Sequence, residues 1–467
     1  VQNFTVPETG TVNIKVKVPD STPSQDAIYL QLKPFDWMEP LPMIPRGSGI
    51  WEYTIYSPLQ HTDSMEYRFC RNGLCDLAVG DAASVLTITP LPQSQSLTSV
   101  VAEWQGSAEL TTDSSQYLAF DAIGTRPDFI AGVELSPAYV PGWRSTIDAG
   151  LQFSQNLGGD YVILTPTWTV AHSLHPDIAP HPGQDLLWHE TMTMINHVSM
   201  SGQDTILYPN INYTQGAVNY YSSDQWTEAY QDEWFEQYKR FIFNFADLAQ
   251  IMNVEGLVIQ EPAVSYLDYA QNSLDTNATS RFFSNDEWDA IISGIRSRYS
   301  GKLIGVMTKS AYNTYTPSWL DQVDFIYVLM SPALEIREGS VKEIRESFDM
   351  ALDESVLPQI NQFQKPVLIG ISYPSSVSTG FGFQQSNENQ VLSPFEVADN
   401  RIDFDLQAKI YSAAIQSSAS REWVQGFISR GFYPHVELQD ASSSVYRKPA
   451  ADILWFWYHF LLSKAPQ

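Results

Sequence analysis

General acid–base work on a polymer needs carboxyl groups held at fixed points, so the carboxylates that close short apolar runs are the first residues to weigh. Gly256-Leu257-Val258-Ile259 is such a run, and Gln260-Glu261-Pro262 follows it directly. Glu261 is the leading candidate for a group that gives up a proton and takes it back. Glu134 ends the run that starts at Phe129 and is the second candidate, with a support role for Arg144 or for the floor of a site as its alternative. Glu335 is the third, reached from the Phe325–Leu329 run through Ser331-Pro332-Ala333-Leu334, a loop long enough to turn it outwards. Glu437 and Asp440 follow a run at Gly426–Ser429 through Phe432-Tyr433-Pro434-His435.

Flat aromatic side chains suit sugar rings, because the C–H face of a pyranose stacks on a ring. Trp168 stands just past the Tyr161–Leu164 run, after Thr165-Pro166-Thr167. Trp143, Tyr213 and Tyr373 occupy other segments at or beyond the ends of apolar runs, and Tyr220, Tyr221 and Trp226 lie in the same class of loop. Each alone is more often packing than binding; their concentration on one rim is the informative feature. The stretch holding His172, His175, Asp177 and His181, with His189 further on, matches no strong metal-ligand spacing, and prolines at 176, 180 and 182 make it an extended loop. No metal and no cofactor is expected.

These residues need a frame to hold them. From about Asp128 apolar strand-like runs alternate with longer amphipathic segments. The strand candidates are Phe129 to Leu135, Tyr161 to Leu164, Thr205 to Tyr208, Gly256 to Ile259, Leu303 to Met307, Phe325 to Leu329, Pro366 to Ile371 and Gly426 to Ser429. Trp234 to Ala249 carries apolar residues at three-to-four spacing, and Asn285-Asp286-Glu287-Trp288 opens another helix with an N-cap signal. Eight such units predict an α/β fold, a (β/α)8 TIM barrel over 128–467, with its site at the C-terminal ends of the strands. A doubly wound sheet is the alternative, but it usually opens on a Gly-rich phosphate turn, and the first run here ends Glu134-Leu135-Ser136-Pro137.

Residues 1–105 read as β throughout, and 106–127 as a linker. Val12 to Val18, Ile28 to Leu32 and Trp51 to Ile55 alternate with period two between turn clusters, which predicts an all-β sandwich. Cys70 and Cys75 flank Asn72-Gly73, a tight-turn signal, so the two thiols face each other across a hairpin and are expected to form a disulfide. That pairing favours an exported chain, extracellular or at a cell surface, over two free thiols in the cytosol. The sandwich resembles starch-binding and related carbohydrate-binding sandwiches in Phe35-Asp36-Trp37, Trp51-Glu52-Tyr53 and Tyr67-Arg68-Phe69. On that resemblance Trp37, in a Pro-flanked loop, is the exposed sugar platform, and Trp51 and Tyr53 belong to the core.

The barrel resembles the glycoside hydrolase family 113 β-mannanases and the wider retaining clan of (β/α)8 glycosidases. The similar stretches are Tyr238-Lys239-Arg240-Phe241-Ile242 leading through Ala246-Asp247-Leu248-Ala249 to Val258-Ile259-Gln260-Glu261, then Lys365-Pro366-Val367-Leu368-Ile369, and Lys448-Pro449-Ala450 before a last aromatic helix. The resemblance implies Glu261 as general acid/base, with Gln260 standing in for the Asn of an Asn-Glu-Pro setting and contacting sugar. One departure is sharp. The family places its nucleophilic Glu at the end of the seventh strand, in a Glu-Ile-Gly-Tyr-like setting, and this sequence reads Gly370-Ile371-Ser372-Tyr373 there. A glycine cannot attack an anomeric carbon. A partner about 5 Å from Glu261 would imply retention, and one roughly 6.5–9.5 Å away inversion through a water.

Composition sets the outer bounds. The chain of 467 residues carries a formal charge of -27, which argues against nucleic acid and anionic membrane as partners and suits a neutral polysaccharide or oligosaccharide. Aromatic residues make up 13% and charged residues only 17%, enough to bury a large core. No apolar run approaches the roughly 20 residues of a spanning helix. Ile453 to Leu462 is apolar nearly all round and is expected to close the fold between barrel and sandwich. The chain opens at Val1-Gln2-Asn3 in strand-like sequence, so an export signal is expected to have been cleaved or omitted. Three readings follow: an exported hydrolase of β-mannan or β-glucan type polysaccharide, a catalytically inactive barrel that binds glycan or self-assembles at a cell surface, and, a distant third, a nucleotide-dependent enzyme.

Overall fold

The computed structural model describes residues 10–22, 26–34, 37–38, 40–56, 64–71, 75, 78–82, 85–104, 123–136, 147–170, 176–213, 228–261, 284–309, 316–334, 339–376, 402–434 and 440–464. Eight parallel strands close into a barrel in chain order: Ile130–Leu135, Tyr161–Leu164, Asp204–Leu207, Gly256–Ile259, Lys302–Lys309, Phe325–Met330, Val367–Ile371 and Val424–Phe432. All eight expected strands are present, within one to three residues at their ends. The eighth pairs with both the seventh and the first, which closes the ring.

The pleat sorts side chains into two shells. Ile130, Ile163, Ile206, Tyr208, Val258, Ile304, Tyr327, Leu368 and Ile428 fill the bore. Their strand neighbours, such as Val133, Val162, Leu257, Ile259, Val328 and Ile369, face outward into a larger core shared with the helices. Strands buried on both faces read as near-continuous apolar runs for this reason. Helices Ile147–Asn156, Trp188–Met200, Glu228–Ile251, Asn285–Arg296, Val341–Met350 and Phe404–Ala419 follow the first, second, third, fourth, sixth and seventh strands. Between the fifth and sixth, the described connection is a 3-10 turn at Ser318–Gln322. The Asn285 helix starts in a reciprocal cap: the Glu287 amide donates to Ser284 Oγ at 3.3 Å and the Ser284 amide donates to Glu287 Oε2 at 2.6 Å.

Ahead of the barrel, two four-stranded sheets lie around one apolar core. One runs Ile44–Gly47, Ile50–Ile55, Val12–Lys17, Gln95–Val100, and the other Leu41–Pro42, Ile28–Lys33, Met65–Arg71, Leu86–Ile88. Val12, Ile14 and Val16 from the first sheet and Ile28, Leu30, Tyr67 and Phe69 from the second share that core. The alternation of Val12–Lys17 therefore has its expected meaning: the apolar residues face inward and Asn13, Lys15 and Lys17 face out. Trp51 and Tyr53 pack against the same core, as expected. Cys70 and Cys75 form a disulfide.

The last helix, Pro449–Leu461, joins the two parts. Tyr458 donates its hydroxyl to the carbonyl of Gly132 in the first barrel strand at 2.9 Å. On the sandwich side, Asp452 is buried close enough to Asp26 and Arg71 to feel both charges. Burial raises its pKa to about 8, with Asp26 pushing the same way and Arg71 opposing. Among the described residues no helix is long and apolar enough to cross a membrane.

Candidate active site

The C-terminal mouth of the barrel is built from the last inward-facing residue of each strand. On the first strand that residue is Glu134, 1% exposed. Two donors from other strands converge on its carboxylate. Tyr327 of the sixth strand donates its hydroxyl to Oε2 at 2.7 Å. Arg430 of the eighth donates from Nε to Oε1 at 3.1 Å and to Oε2 at 3.3 Å. Glu134 and Arg430 are direct register partners across the seam where the barrel closes. Sequence reasoning offered Arg144 as the partner of Glu134; residue 144 lies outside the described residues, and the cation found there is Arg430.

Charge and burial are both strong in this trio. Burial alone would lower the Arg430 pKa, but the carboxylate of Glu134 and its hydrogen bond hold it above the ordinary guanidinium value. Burial, reinforced by the same carboxylate, pushes the Tyr327 hydroxyl well up, so Tyr327 stays a neutral donor. Removing either partner from a pair of this kind strands a charge in a dry interior, which makes the trio costly to break.

Gly370 explains how the trio fits. It lies on the seventh strand, between Leu329 and Ile428, in the row that faces the bore. A Cβ built on Gly370 would sit 2.6 Å from the Tyr327 ring and hydroxyl and 2.8 Å from Arg430 Cδ. The space for a side chain at 370 is already filled by the two groups that hold Glu134. A carboxylate cannot stand at that position while they remain.

Across the mouth a neutral chain takes over. Tyr208 at the end of the third strand donates to Gln260 Oε1 at 2.5 Å, and Gln260 Nε2 donates to Asn210 Oδ1 at 3.2 Å. Tyr238, from the Glu228–Ile251 helix, donates its hydroxyl to the Gln260 carbonyl at 2.8 Å. The Tyr208 and Tyr327 rings meet edge to face at 6.2 Å and tie the two halves together.

Glu261, the expected acid/base just past the fourth strand, stands at the rim rather than in the bore. Gln260 shares the inward parity of Val258 and occupies the bore, which turns the next residue towards the helical layer. Glu261 Oε1 accepts from the Trp319 indole N–H at 3.2 Å, and Trp319 stacks on Trp288 with centroids 4.4 Å apart. The side chain stays partly exposed at the rim. Its charge adds to burial in pushing up the Tyr238 hydroxyl, so the two lie close.

Several expected sugar-binding residues make packing contacts, and one of them is fully buried. Tyr373 is 0% exposed, donates its hydroxyl to the Pro332 carbonyl at 2.6 Å and meets Phe348 edge to face. It fastens the segments after the sixth and seventh strands and offers no face to a substrate. Trp168 lies in a short strand, Thr167–Val170, paired with Asn210–Tyr213, and its indole rests on Phe241 and Phe245 at 5.6 and 5.7 Å. Tyr213, at the end of that pair, packs against the outer core. In the sandwich, Trp37 is not an open platform: the Arg68 guanidinium lies 4.1 Å from its ring centroid and Lys33 Nζ 5.4 Å. Asp440 is buried and ion-paired with Lys448 at 3.2 Å. Glu335, Trp143, Tyr220, Tyr221, Trp226, Glu437, His172 and His175 lie outside the described residues. Among the described residues no group of three or more His, Cys, Asp or Glu is gathered as a metal site.

Two residues that matter here, Tyr327 and Arg430, escaped sequence reasoning. Tyr327 sits in the middle of an apolar run, and Arg430 is the one cation at the end of the Gly426–Ser429 run. A basic residue in a doubly buried strand was the available signal, since it demands a buried acid.

The model of Glycoside Hydrolase Family 113 matches residues 145–444. Of the solved structures, a GH113 β-1,4-mannanase in complex form is 20% identical with a TM-score of 0.54, covering 71% of this chain and 99% of its own. A GH113 β-mannanase, AaManA from Alicyclobacillus acidocaldarius, is 16% identical with a TM-score of 0.53, over 71% of this chain and 98% of its own. No curated protein sequence matches the chain. The barrel, its order of strands and the extent of the family match agree, and the chain belongs to Glycoside Hydrolase Family 113.

Proposed function

We propose that this chain hydrolyses a β-linked polysaccharide of the mannan type, with Glu261 as general acid/base. The observation that carries the reading is the position of Glu261: the first residue past Gln260 at the C-terminal end of the fourth strand, partly exposed at the rim of the mouth. The family supports hydrolysis, and the mannanase names of the two similar structures support the substrate class. Turned from Trp319 towards a bound chain, the carboxyl of Glu261 protonates the glycosidic oxygen as the bond to the anomeric carbon breaks. It then takes a proton from the incoming water. Tyr208, Gln260 and Asn210 line the adjoining wall with hydroxyl and amide groups suited to sugar hydroxyls.

The sandwich serves in this reading as an appended carbohydrate-binding module, a role that its sequence resemblance supports and that the Trp37 ring, covered by Arg68, does not carry, and the chain works outside the cell. The Cys70–Cys75 disulfide supports an oxidising compartment, since such bonds persist there. The negative charge suits a neutral polymer.

The test is reducing-sugar release from β-mannans, β-glucans, xylans and α-glucans, comparing the wild type with Glu261→Gln. Release from mannan that falls about 10³-fold or more in the variant supports the reading, a loss of the size expected when a general acid is removed. Release that the substitution leaves intact removes Glu261 from the mechanism. Binding of a polymer without release from any would favour the inactive glycan-binding barrel.

A further inference from the structure

The seventh strand offers no carboxylate, and the structure assigns that missing group to the first: we infer that Glu134 is the nucleophile, held by the two side chains that fill the space beside Gly370. The inference rests on the hydrolase reading above and adds the residue which that reading lacks.

Four observations carry it. Glu134 faces the bore at the mouth, the end of the barrel where the fold places its chemistry. Its carboxylate is held by two fixed donors from two other strands, Tyr327 at 2.7 Å and Arg430 at 3.1 Å, and this leaves it little rotamer freedom. Preorganisation of that kind is what an attacking group needs, because the geometry is set before substrate arrives. Those donors come from the sixth and eighth strands, the neighbours of the seventh, and they occupy the volume of a side chain at 370. The absence of a side chain on the seventh strand and the presence of a carboxylate on the first are therefore one steric arrangement. Finally, Glu134 precedes the family-matched span, which begins at residue 145. The departure at 370 and its compensation thus fall on opposite sides of that boundary.

A carboxylate has about four lone-pair sites, and the contacts from Tyr327 and Arg430 fill at most three. One oxygen of Glu134 attacks the anomeric carbon and forms a C–O ester bond. The bond from that carbon to the glycosidic oxygen breaks, and the leaving oxygen takes its proton from Glu261. Water then attacks the same carbon and gives a proton to Glu261, and the ester bond breaks to return Glu134 as carboxylate. The sugar leaves with its original anomeric configuration. Arg430 and Tyr327 are positioning residues: they aim Glu134 and hold its charge while the ester forms and breaks.

The experiment uses the full chain and has two readouts. The anomer first released from a mannooligosaccharide is followed by NMR, and the wild type is treated with a 2-deoxy-2-fluoro-mannosyl fluoride and digested for mass spectrometry. Retention, with the fluorosugar ester on the peptide containing Glu134, is the expected result. Inversion, or a label on any other residue, or retention with no ester on Glu134, overturns the assignment while the hydrolase reading stands. Absence of turnover on every substrate overturns both. Because the label is read on the wild type, misfolding of a variant cannot mask the answer. Glu134→Gln is the companion: turnover falling about 10³-fold or more in a variant that retains the wild-type circular dichroism is expected. Retained turnover overturns the role.

Discussion

The two halves of the barrel mouth solve the same packing problem with different chemistry. Around the first, sixth and eighth strands, a carboxylate and a guanidinium are buried together with a tyrosine hydroxyl between strands. Around the third and fourth strands, Tyr208, Gln260 and Asn210 form a neutral chain. Both leave polar groups satisfied, but they differ in what a single loss leaves behind. A missing member of the charged trio strands an ion in a dry interior, whereas a missing member of the neutral chain strands at most one dipole. The charged side is therefore the costlier one to break.

Breaking the charged half has the largest expected effect. Arg430→Met leaves Glu134 buried without its cation and should cost about 3–5 kcal/mol of stability, read by urea unfolding. A loss below about 1 kcal/mol would mean that the pair is less dry than its burial indicates. Gly370→Ala places a methyl group against Tyr327 and Arg430 and should cost about 1–3 kcal/mol, since neither neighbour can move without releasing Glu134. An unperturbed Gly370→Ala variant would show that the trio has slack.

A buried carboxyl elsewhere in the molecule sharpens the contrast, because it has no described hydrogen bond to one of its oxygens. Among the described residues, Asp452 Oδ2 has no hydrogen-bond partner where it lies buried between the last helix and the sandwich. Its pKa rises from 3.8 to about 8 through burial first, then Asp26, against the opposing effect of Arg71. Between those two values the folded chain binds a proton that the unfolded chain has lost. Its contribution to stability is complete below about pH 4 and is lost as pH rises towards 8. Asp452→Asn, neutral at every pH, should flatten that decline: unchanged melting near pH 4 and a melting temperature several degrees higher near pH 8. Equal melting at both pH values would show that the carboxyl finds water or a partner.

The smallest effect belongs to the neutral half. Tyr208→Phe removes one donor to Gln260 and should cost about 1 kcal/mol in thermal unfolding. A cost comparable with that of Arg430→Met would erase the distinction between the halves.

The order and kind of the elements were legible from residue pattern. Eight apolar runs separated by amphipathic segments can bury both faces of each strand only when helices cover a parallel sheet, and period-two alternation in Val12–Lys17 can bury only one. Helix starts were equally local: Ser284 and Glu287 cap each other within one turn. The disulfide followed from a turn signal between two nearby cysteines. Even the departure at Gly370 could be seen in the sequence, although its meaning could not.

Side-chain direction and partner were decided in three dimensions. Whether Gln260 or Glu261 enters the bore depends on a one-residue parity that the tripeptide does not reveal past the end of its strand. Trp168 and Tyr373 have the composition of sugar platforms, but long-range packing buries Tyr373 against Phe348 and rests part of Trp168 on Phe241 and Phe245. Glu134 meets Tyr327 and Arg430 across separations of 193 and 296 residues, which no local pattern encodes. Periodicity and capping act over a few residues, so residue order alone sets which segments become strands and helices. Which charges face each other follows from closure, which brings the first strand against the eighth and lets a glycine on the seventh make room for the tyrosine and arginine that hold a carboxylate on the first.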